Sequence, residues 1–371
     1  MKAKKMVEVG HDELKEIIKR KHRKKTALFI WGPPGIGKSQ VVHDSGCELA
    51  KEDNLGFSTR EDVVNIESNK FTVIDKRLAQ MDASDIKGLP NFTEGRKTTT
   101  WTQPEWFPTE GSGILFFDEL NLAPPVVQAA AYSIILDRRL GNLTLPEGFS
   151  VIAAGNRAQD RAHTFELPKP LQNRFTHVEL KPPSSERWVE WAYDNGIDER
   201  LISFILTFPQ HLMNFNPDDN TKAFATPRTV EIASHDIKGL KFSNNEELIR
   251  QLVGSACGRQ WASEFTAFIR LRDEINIGQI INNPKTEKLP EKADLLCALT
   301  TGIAERYDKD RNWKKILRVA ITLCDRFDNA EYGMKMLRMM NLKDDDFVDK
   351  LVKIDGWKKL SKRYGKFLTE P

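Results

Sequence analysis

The sequence predicts an α/β domain built on a parallel sheet, followed by a long helical region. Five short apolar runs within residues 26–183 alternate with polar turns and with segments of helical periodicity, which is typical of a parallel sheet covered by helices. A glycine-rich turn follows the first run. Beyond Pro183 the strand pattern stops and helical periodicity continues. The fold class is therefore α/β with additional helical domains.

The composition allows two or three domains in 371 residues. A hydrophobic fraction of 40% is enough for a core, and a net charge of +3 gives no electrostatic argument for nucleic acid. The run KEIIKRKHRKK at 15–25 is locally basic. It is either a solvated helix face or a contact for nucleic acid or an acidic partner.

Cysteine usage and hydropathy indicate a cytoplasmic location. The four cysteines show no C-x-x-C spacing, which favours a reduced, cytosolic chain without a zinc site. No apolar run approaches the roughly 18 residues that a membrane span needs, and the N-terminus lacks the apolar core of a signal peptide.

A glycine-rich turn lies between the apolar run 27–31 and a segment of helical periodicity at 40–52. Its sequence, GPPGIGKS at 32–39, has the strand-turn-helix context of a phosphate-binding loop. The glycines let backbone N–H groups turn towards phosphate oxygens, and the helix N-terminus adds partial positive charge. We expect Lys38 to reach the β- and γ-phosphates and the Ser39 hydroxyl to ligate Mg²⁺. The predicted nucleotide-binding residues are Gly32, Pro33, Pro34, Gly35, Ile36, Gly37, Lys38, Ser39 and Gln40.

Polar residues follow two later apolar runs. Asp118 and Glu119 end the run 114–117, which is continuous as expected for a central parallel strand. An open α/β sheet binds its ligand at the carboxyl ends of its strands, so Asp118 is predicted to hold Mg²⁺ and Glu119 to polarise an attacking water. Asn156 follows the run 151–154 and could bind the same water or the γ-phosphate; an ordinary turn asparagine is the alternative.

Two segments predict insertions. Residues 91–108 contain two prolines, a threonine run, Trp101 and Trp106, which favours a loop or small hairpin projecting from the core. Its aromatic side chains either fold back onto the core or face a partner or a pore, and we expect both tryptophans to suit a contact surface better than a core. Residues 137–149 surround a Leu-Thr-Leu strand and predict a second hairpin.

Together these motifs resemble the AAA+ ATPases, and among them the MoxR-like, dynein-related subgroup of bacterial or phage type. The resemblance is strong over 26–235, where the motifs also match in order and spacing: GPPGIGKS at 32–39, LFFDEL at 115–120, AAGNR at 153–157, LPKPLQNRF at 167–175 and ATPRTVE at 225–231. The implied roles are Walker A for Lys38 and Ser39, Walker B for Asp118 and Glu119, sensor 1 for Asn156, an arginine finger acting on the neighbouring subunit's nucleotide for Arg174, and sensor 2 for Arg228. Arg157, Asp160 and Arg161 also fit the subgroup, with surface salt bridging as the alternative.

The resemblance implies an AAA+ P-loop domain with a three-layer parallel sheet, a helical lid and an extra C-terminal helical domain. Residues 53–70 are polar and predicted to be irregular. The predicted domains are a lead-in helix at 1–25, the nucleotide-binding domain at 26–183, the lid at 184–275, and a C-terminal domain at 276–371 that begins with a linker at 276–290.

The implied reaction is ATP hydrolysis with Mg²⁺ as cofactor, in a homo-oligomeric ring that we expect to be a hexamer. The expected work is remodelling of a protein client through maturation, cofactor insertion or complex assembly, and a von Willebrand factor A-type partner is often paired with such proteins. Neither a membrane nor a nucleic acid is an expected partner. Two alternatives stay open: a nucleic-acid translocase or loader, and a slow nucleotide-dependent scaffold. Intact Glu119, Asn156 and Arg174 argue against an inactive ATPase.

Overall fold

The computed structural model describes residues 6–60, 69–92, 99–160 and 164–364. The chain forms two compact units. One contains residues 1–183 and 216–219, and the other contains residues 184–215 and 220–371. The first is the sheet unit and the second is the helical unit. The predicted division of the helical part into a lid and a C-terminal domain stays a prediction.

Seven described strands of the sheet unit form one fully parallel sheet in the order β1-β11-β2-β10-β7-β4-β3. Two short antiparallel ladders pair β5 with β6 and β8 with β9. The strands are β1 Val7–Val9, β2 Leu28–Trp31, β3 Gly56–Arg60, β4 Lys70–Arg77, β5 Pro90–Phe92, β6 Thr99–Trp101, β7 Ser112–Asp118, β8 Arg139–Leu140, β9 Leu143–Thr144, β10 Gly148–Gly155 and β11 Thr176–Leu180.

The central strands are apolar along most of their length because both faces of the sheet are covered. Residues 28–30, 113–117 and 149–155 are all buried. The helices of this unit are α1 His11–Lys24, α2 Lys38–Glu52, α3 Ala83–Lys87, α4 Pro125–Asp137 and α5 Lys169–Gln172.

The helical unit contains α6 to α16 and two clusters of buried apolar side chains. The predicted opening of a helix at Thr226-Pro227 is confirmed, since the Thr226 Oγ1 caps α8 by accepting a hydrogen bond from Thr229 N at 3.2 Å. The helices are α6 Ser185–Asp194, α7 Glu199–Thr207, α8 Pro227–Ile237, α9 Phe242–Cys257, α10 Arg259–Glu274, α11 Ile277–Asn282, α12 Ala293–Glu305, α13 Trp313–Arg326, α14 Ala330–Asn341, α15 Phe347–Val352 and α16 Trp357–Tyr364.

The predicted fold class is confirmed: a parallel α/β sheet unit is followed by a helical region. Three local predictions were wrong. The segment at 53–70 contains β3, a polar edge strand that pairs with β4, although residues 61–68 lie outside the described part. The lead-in helix begins only at His11, because β1 precedes it and pairs with β11. The linker at 276–290 contains α11, which buries three isoleucines at helical spacing: Ile277, Ile280 and Ile281.

Both predicted hairpins are confirmed, but one tryptophan is placed differently than expected. Trp101 on β6 is 58% exposed, as a contact surface requires. Trp106 is only 5% exposed, its indole packs edge-on against Phe117, and its Nε1 donates a hydrogen bond to the Asp85 carbonyl at 2.8 Å. Trp106 therefore belongs to the core, and the prediction of a contact role for it was wrong. Residues 93–98, between β5 and β6 in the sequence, lie outside the described part.

Three cations of the basic run on α1 pair with acidic residues on α2. Lys15 and Lys19 contact Glu48 at 3.0 and 2.6 Å, and Arg23 pairs with Glu52. Residues 44, 48 and 52 are acidic and recur every fourth position, so they form one stripe along α2. The hydrogen bond that Lys19 donates to the Glu48 carboxylate is the main cause that raises the pKa of Lys19. These cations therefore hold α1 against α2. No helix in the described ranges combines the length and the apolar character that a membrane crossing requires.

Candidate functional site

Three neighbouring strands end at the same edge of the sheet. β10 lies between β2 and β7, with Gly155 beside Trp31 and Ala153 beside Phe117. Because the strands are parallel, the turns that follow their carboxyl ends lie close together. This arrangement brings together the phosphate loop after β2, the acidic pair at the end of β7, and Asn156 after β10.

The phosphate loop turns sharply between β2 and α2. Gly37 has a φ of 92°, a left-handed conformation that side chains disfavour. A Cβ on Gly32 would lie 2.8 Å from the Ile36 side chain and 3.0 Å from the Leu180 carbonyl oxygen, so glycine is required for close packing there. Gly37 is the N-cap of α2 and makes no side-chain cap hydrogen bond. The helix N-terminus therefore has no internal side-chain cap and can face an anion.

Lys38 bridges the loop and the end of β10. Its Nζ donates hydrogen bonds to the carbonyl oxygens of Gly32 at 2.8 Å and Pro33 at 2.9 Å, and to Asn156 Oδ1 at 3.1 Å. All three acceptors are uncharged. Phosphate oxygens are stronger acceptors for an ammonium group, so a bound phosphate could displace these contacts.

Ser39 and Asp118 are in direct contact. The Ser39 hydroxyl donates a hydrogen bond to Asp118 Oδ2 at 2.7 Å, and Asp118 Oδ1 accepts one from the Glu119 amide at 2.9 Å. A hydroxyl and a carboxylate oxygen are hard ligands that suit Mg²⁺. No group of three or more His, Cys, Asp or Glu side chains able to hold a metal occurs in the described ranges. The further ligands of a metal bound here would be water and phosphate oxygens, as is usual for Mg²⁺.

Glu119 occupies an unusual backbone conformation, with φ 56° and ψ 32° in the left-handed region. Its amide donates a hydrogen bond to Asp118, and its carbonyl accepts one from Leu122 N at 2.9 Å. These two hydrogen bonds, one on each side of the residue, stabilise the left-handed conformation. The Glu119 carboxylate makes no hydrogen bond or ion pair with any residue that the structure describes. It is half-buried and can accept a hydrogen bond from water.

Asn156 is held by Asn121, a residue that the sequence reasoning missed. Asn121 Nδ2 donates to the Asn156 carbonyl at 2.7 Å, and Asn121 Oδ1 accepts from the Asn156 amide at 3.1 Å. Asn121 is only 3% exposed. A Cβ on Gly155 would lie 2.3 Å from Asn121 Oδ1, so glycine is needed beside this pair. The available signal was a polar residue two positions after Glu119 in a largely apolar stretch.

Arg157 is fixed by two carboxylates. Its guanidinium contacts Asp160 at 2.7 Å and Glu179 on β11 at 2.7 Å, and the Arg157 amide donates to Asp160. The hydrogen bond to Asp160 is the main cause that raises the pKa of Arg157. The salt-bridge interpretation therefore holds for this pair, although Asp160 is buried rather than at the surface. Arg161 lies outside the described residues.

α1 also contacts the phosphate loop. His11 Nε2 lies 2.9 Å from the Ile36 carbonyl oxygen, a distance at which a protonated Nε2 donates a hydrogen bond. His11 begins α1, which packs along α2. The sequence reasoning missed this contact because 25 residues separate the two positions.

The two arginines with predicted catalytic roles are exposed. Arg174 follows α5, and its guanidinium has no hydrogen bond or ion pair within the described part of the chain. Arg228 is the second residue of α8 in the helical unit and is likewise exposed.

Gln40 is exposed and donates to Asp44 at 2.8 Å, within its own helix. The structure thus brings together five predicted site residues: Lys38, Ser39, Asp118, Glu119 and Asn156.

Comparisons with known proteins find similar solved structures, whereas no protein-family model and no curated protein matches the chain. AMPPCP-bound DnaA from Aquifex aeolicus has a TM-score of 0.38 at 15% identity, over 97% of this chain and 92% of that chain. NtrX from Brucella abortus in complex with ADP has a TM-score of 0.36 at 13% identity, over 96% and 68%. A RuvB mutant from Thermotoga maritima has a TM-score of 0.30 at 15% identity, over 95% and 86%. Similarities with TM-scores this low do not indicate a function for this chain.

Proposed function

We propose that this chain is a MoxR-like AAA+ ATPase that hydrolyses ATP in a ring and remodels a protein client. The observation that carries the proposal is the set of contacts at the sheet edge. Lys38 bonds to the phosphate loop and to Asn156, and Ser39 bonds to Asp118, all within 3.1 Å. These contacts join a phosphate-binding turn, a metal-ligand pair and a polar residue from three adjacent strand ends, which is the arrangement that phosphoryl transfer requires.

The residues would divide the work of hydrolysis between binding and positioning. The phosphate loop and the α2 N-terminus bind the phosphate groups, and Lys38 exchanges its carbonyl contacts for β- and γ-phosphate oxygens. Ser39, with Asp118 through water, would hold Mg²⁺, which supplies charge neutralisation at the phosphates when bound. Glu119 accepts a hydrogen bond from the attacking water and polarises it, while Asn156 orients the same water or the γ-phosphate.

Two exposed arginines, which are not among the residues at the sheet edge, would complete the site. Arg174 has no described partner within its own subunit, which supports a role at the nucleotide of a neighbouring subunit. That role requires a closed head-to-tail ring, and we propose a hexamer. Arg228, on the first turn of α8, would act as sensor 2. We further propose a cytoplasmic location and a protein client, including a von Willebrand factor A-type partner.

The basic run on α1 is a weaker argument for the nucleic-acid alternative than its composition suggests. Three of its seven cations, Lys15, Lys19 and Arg23, are paired with carboxylates on α2, which reduces the charge available to bind phosphates. A slow scaffold would share the same site, so only a measured turnover separates it from a remodelling enzyme.

The test of the site is calorimetric ATP binding to Lys38→Ala, with Lys24→Ala as the control. Lys24 is an exposed residue on α1, so its removal should leave ATP affinity unchanged. Hydrogen bonds to charged groups contribute about 1.5–3 kcal/mol each, so loss of Lys38 should weaken ATP binding by at least about tenfold. Wild-type affinity in Lys38→Ala would disprove the assignment of the phosphate loop.

A second variant tests the chemistry and captures the client. Glu119→Gln keeps the size of the side chain but removes its charge, so it should bind ATP normally and hydrolyse it slowly. Single-turnover hydrolysis measures this change. A protein that co-purifies with Glu119→Gln in ATP, and is absent with Lys38→Ala, would identify the client; wild-type turnover in Glu119→Gln would contradict the proposed role of Glu119.

A further inference from the structure

Asn121 occupies a position that no motif assigns, yet its contacts link two catalytic elements. It lies in the short 3-10 turn Leu120–Leu122 that follows Glu119. Both polar atoms of its side chain bind the backbone of one residue, Asn156, at 2.7 and 3.1 Å. Its own carbonyl accepts a hydrogen bond from Phe165 N at 2.7 Å.

The side chain of Asn121 forms hydrogen bonds with the backbone that follows β10, beyond the last residue pair between β7 and β10. The register between β7 and β10 ends at Phe117 and Ala153, three residues before Asn156. From there the Asn121 amide provides the donor and the acceptor that a neighbouring strand would otherwise supply to the Asn156 backbone. Gly155 leaves the space that this approach needs.

A buried amide whose nitrogen and oxygen both form hydrogen bonds holds its partners rigidly, whereas leaving these atoms without partners would cost folding free energy. Asn121 is 3% exposed, and its backbone is fixed by Phe165. The rigid pair therefore determines where the Asn156 backbone lies relative to the turn that carries Glu119. The Asn156 side chain in turn accepts the hydrogen bond from Lys38.

We propose that Asn121 is a positioning residue for ATP hydrolysis, which sets the Asn156 side chain relative to Glu119 and the phosphate loop. This inference rests on the proposed function. It predicts that Asn121 acts through Asn156, that it affects turnover more than ATP binding, and that its effect disappears when the Asn156 side chain is absent.

The principal variant is Asn121→Asp, which keeps the shape of the side chain but removes both N–H donors and places a carboxylate oxygen beside the Asn156 carbonyl. Misplacement of a catalytic group by about 1 Å can cost on the order of 100-fold. We expect kcat to fall on the order of 10- to 100-fold in Asn121→Asp, with the Kd for ATP changed less than about threefold.

The control variant is Gln128→Leu. Gln128 is also a buried amide, 1% exposed, and it donates to a backbone carbonyl, that of Ala123 at 3.0 Å. The hydrogen bond that Gln128 makes in the described part of the chain does not reach a site residue, so kcat in Gln128→Leu should stay near wild type even if its melting temperature falls. Equal losses of kcat in both variants would show a general loss of stability and overturn the proposal.

A double-mutant cycle distinguishes positioning from an independent role. Asn156→Ala removes the side chain but keeps the backbone groups that Asn121 binds. If Asn121 acts through the Asn156 side chain, Asn121→Asp should lower kcat no further in the Asn156→Ala background. The same fold-loss in both backgrounds would overturn the inference while leaving ATP hydrolysis by the wild type, and hence the proposed function, intact.

Gly155→Ala provides a second route if Asn121→Asp fails to fold. Its Cβ would meet Asn121 Oδ1 at 2.3 Å and displace the amide without changing its chemistry. This variant should show the same loss of kcat with retained ATP affinity. Wild-type kcat in a folded Gly155→Ala protein would contradict the positioning role.

Discussion

The phosphate-loop edge of the sheet and the turn that carries Arg174 lie in the same unit but hold their polar groups differently. At the sheet edge, Lys38, Ser39 and Asp118 have protein partners within 2.9 Å. Arg174 is exposed, with no partner among the described residues. Groups with internal partners are positioned before the ligand arrives, whereas an exposed cation needs an external partner to be ordered. Under the proposed function, one subunit would supply the nucleotide-binding groups, and full catalysis would require assembly.

The largest expected effect comes from removing the exposed cation. Arginine fingers contribute roughly 10³–10⁵ in rate, or about 4–7 kcal/mol. Arg174→Ala should therefore nearly abolish hydrolysis and keep ATP affinity near wild type, because the Arg174 guanidinium has no hydrogen bond or ion pair with any residue that the structure describes. Steady-state ATPase rates and calorimetry measure the two quantities. Arg20→Ala, another exposed arginine in the same unit, is the control and should retain full activity.

Mixing subunits tests whether Arg174 acts across an interface. Arg174→Ala subunits keep an intact phosphate loop, and Lys38→Ala subunits keep the arginine. Rings that contain both should regain activity at some interfaces. If subunits are shown by mass to have exchanged and the mixture stays inactive, Arg174 serves its own site or only the fold.

Two tryptophans in the segment 91–108 differ in the same way: one side chain is buried against other residues and the other is exposed. Trp106 is buried against Phe117, and Trp101 is exposed on β6. Large-to-small substitution of a buried aromatic costs about 3–5 kcal/mol, so Trp106→Ala should lower the free energy of unfolding by that amount. Trp101→Ala should change it by no more than about 0.5 kcal/mol. Urea unfolding of the two variants measures the difference, and equal losses would contradict the assignment of Trp106 to the core.

Comparison of the sequence predictions with the structure shows which parts of the molecule the sequence could predict. The phosphate loop, the acidic pair and Asn156 were predictable because each follows a recognisable strand, and parallel topology brings strand ends together. Asn121 and His11 were missed because their roles depend on contacts with residues 35 and 25 positions away. Trp106 was misjudged because composition alone could not show that the chain returns to the core after the hairpin.

The basic run on α1 was also only partly predictable. Its cations suggested either a solvated face or an external contact, but the acidic stripe that pairs with them lies on α2. The Arg23 side chain is exposed, whereas those of Lys15 and Lys19 are half-buried, and ion pairs at the surface contribute at most about 1 kcal/mol each. A larger contribution comes from a residue in the same run that carries no charge in the folded protein, His22.

The last prediction concerns His22, which is 5% exposed on α1. Lys25 Nζ donates to His22 Nε2 at 3.2 Å, so Nδ1 carries the proton and donates to Ser150 Oγ at 2.9 Å. Burial, followed by the charges of Lys25 and Arg23, lowers the pKa of His22 from 6.5 to about 4. Between pH 6.5 and pH 4 the unfolded chain therefore binds a proton at His22 more readily than the folded protein does. The contribution of neutral His22 to the free energy of unfolding is thus complete above pH 6.5 and is lost as the pH falls towards 4. A shift of this size corresponds to at most about 3 kcal/mol. Urea unfolding of wild type and His22→Gln between pH 7 and pH 4.5 should show a steeper loss of stability in the wild type, because glutamine does not titrate. Parallel pH profiles would show that His22 is protonated equally easily in both states.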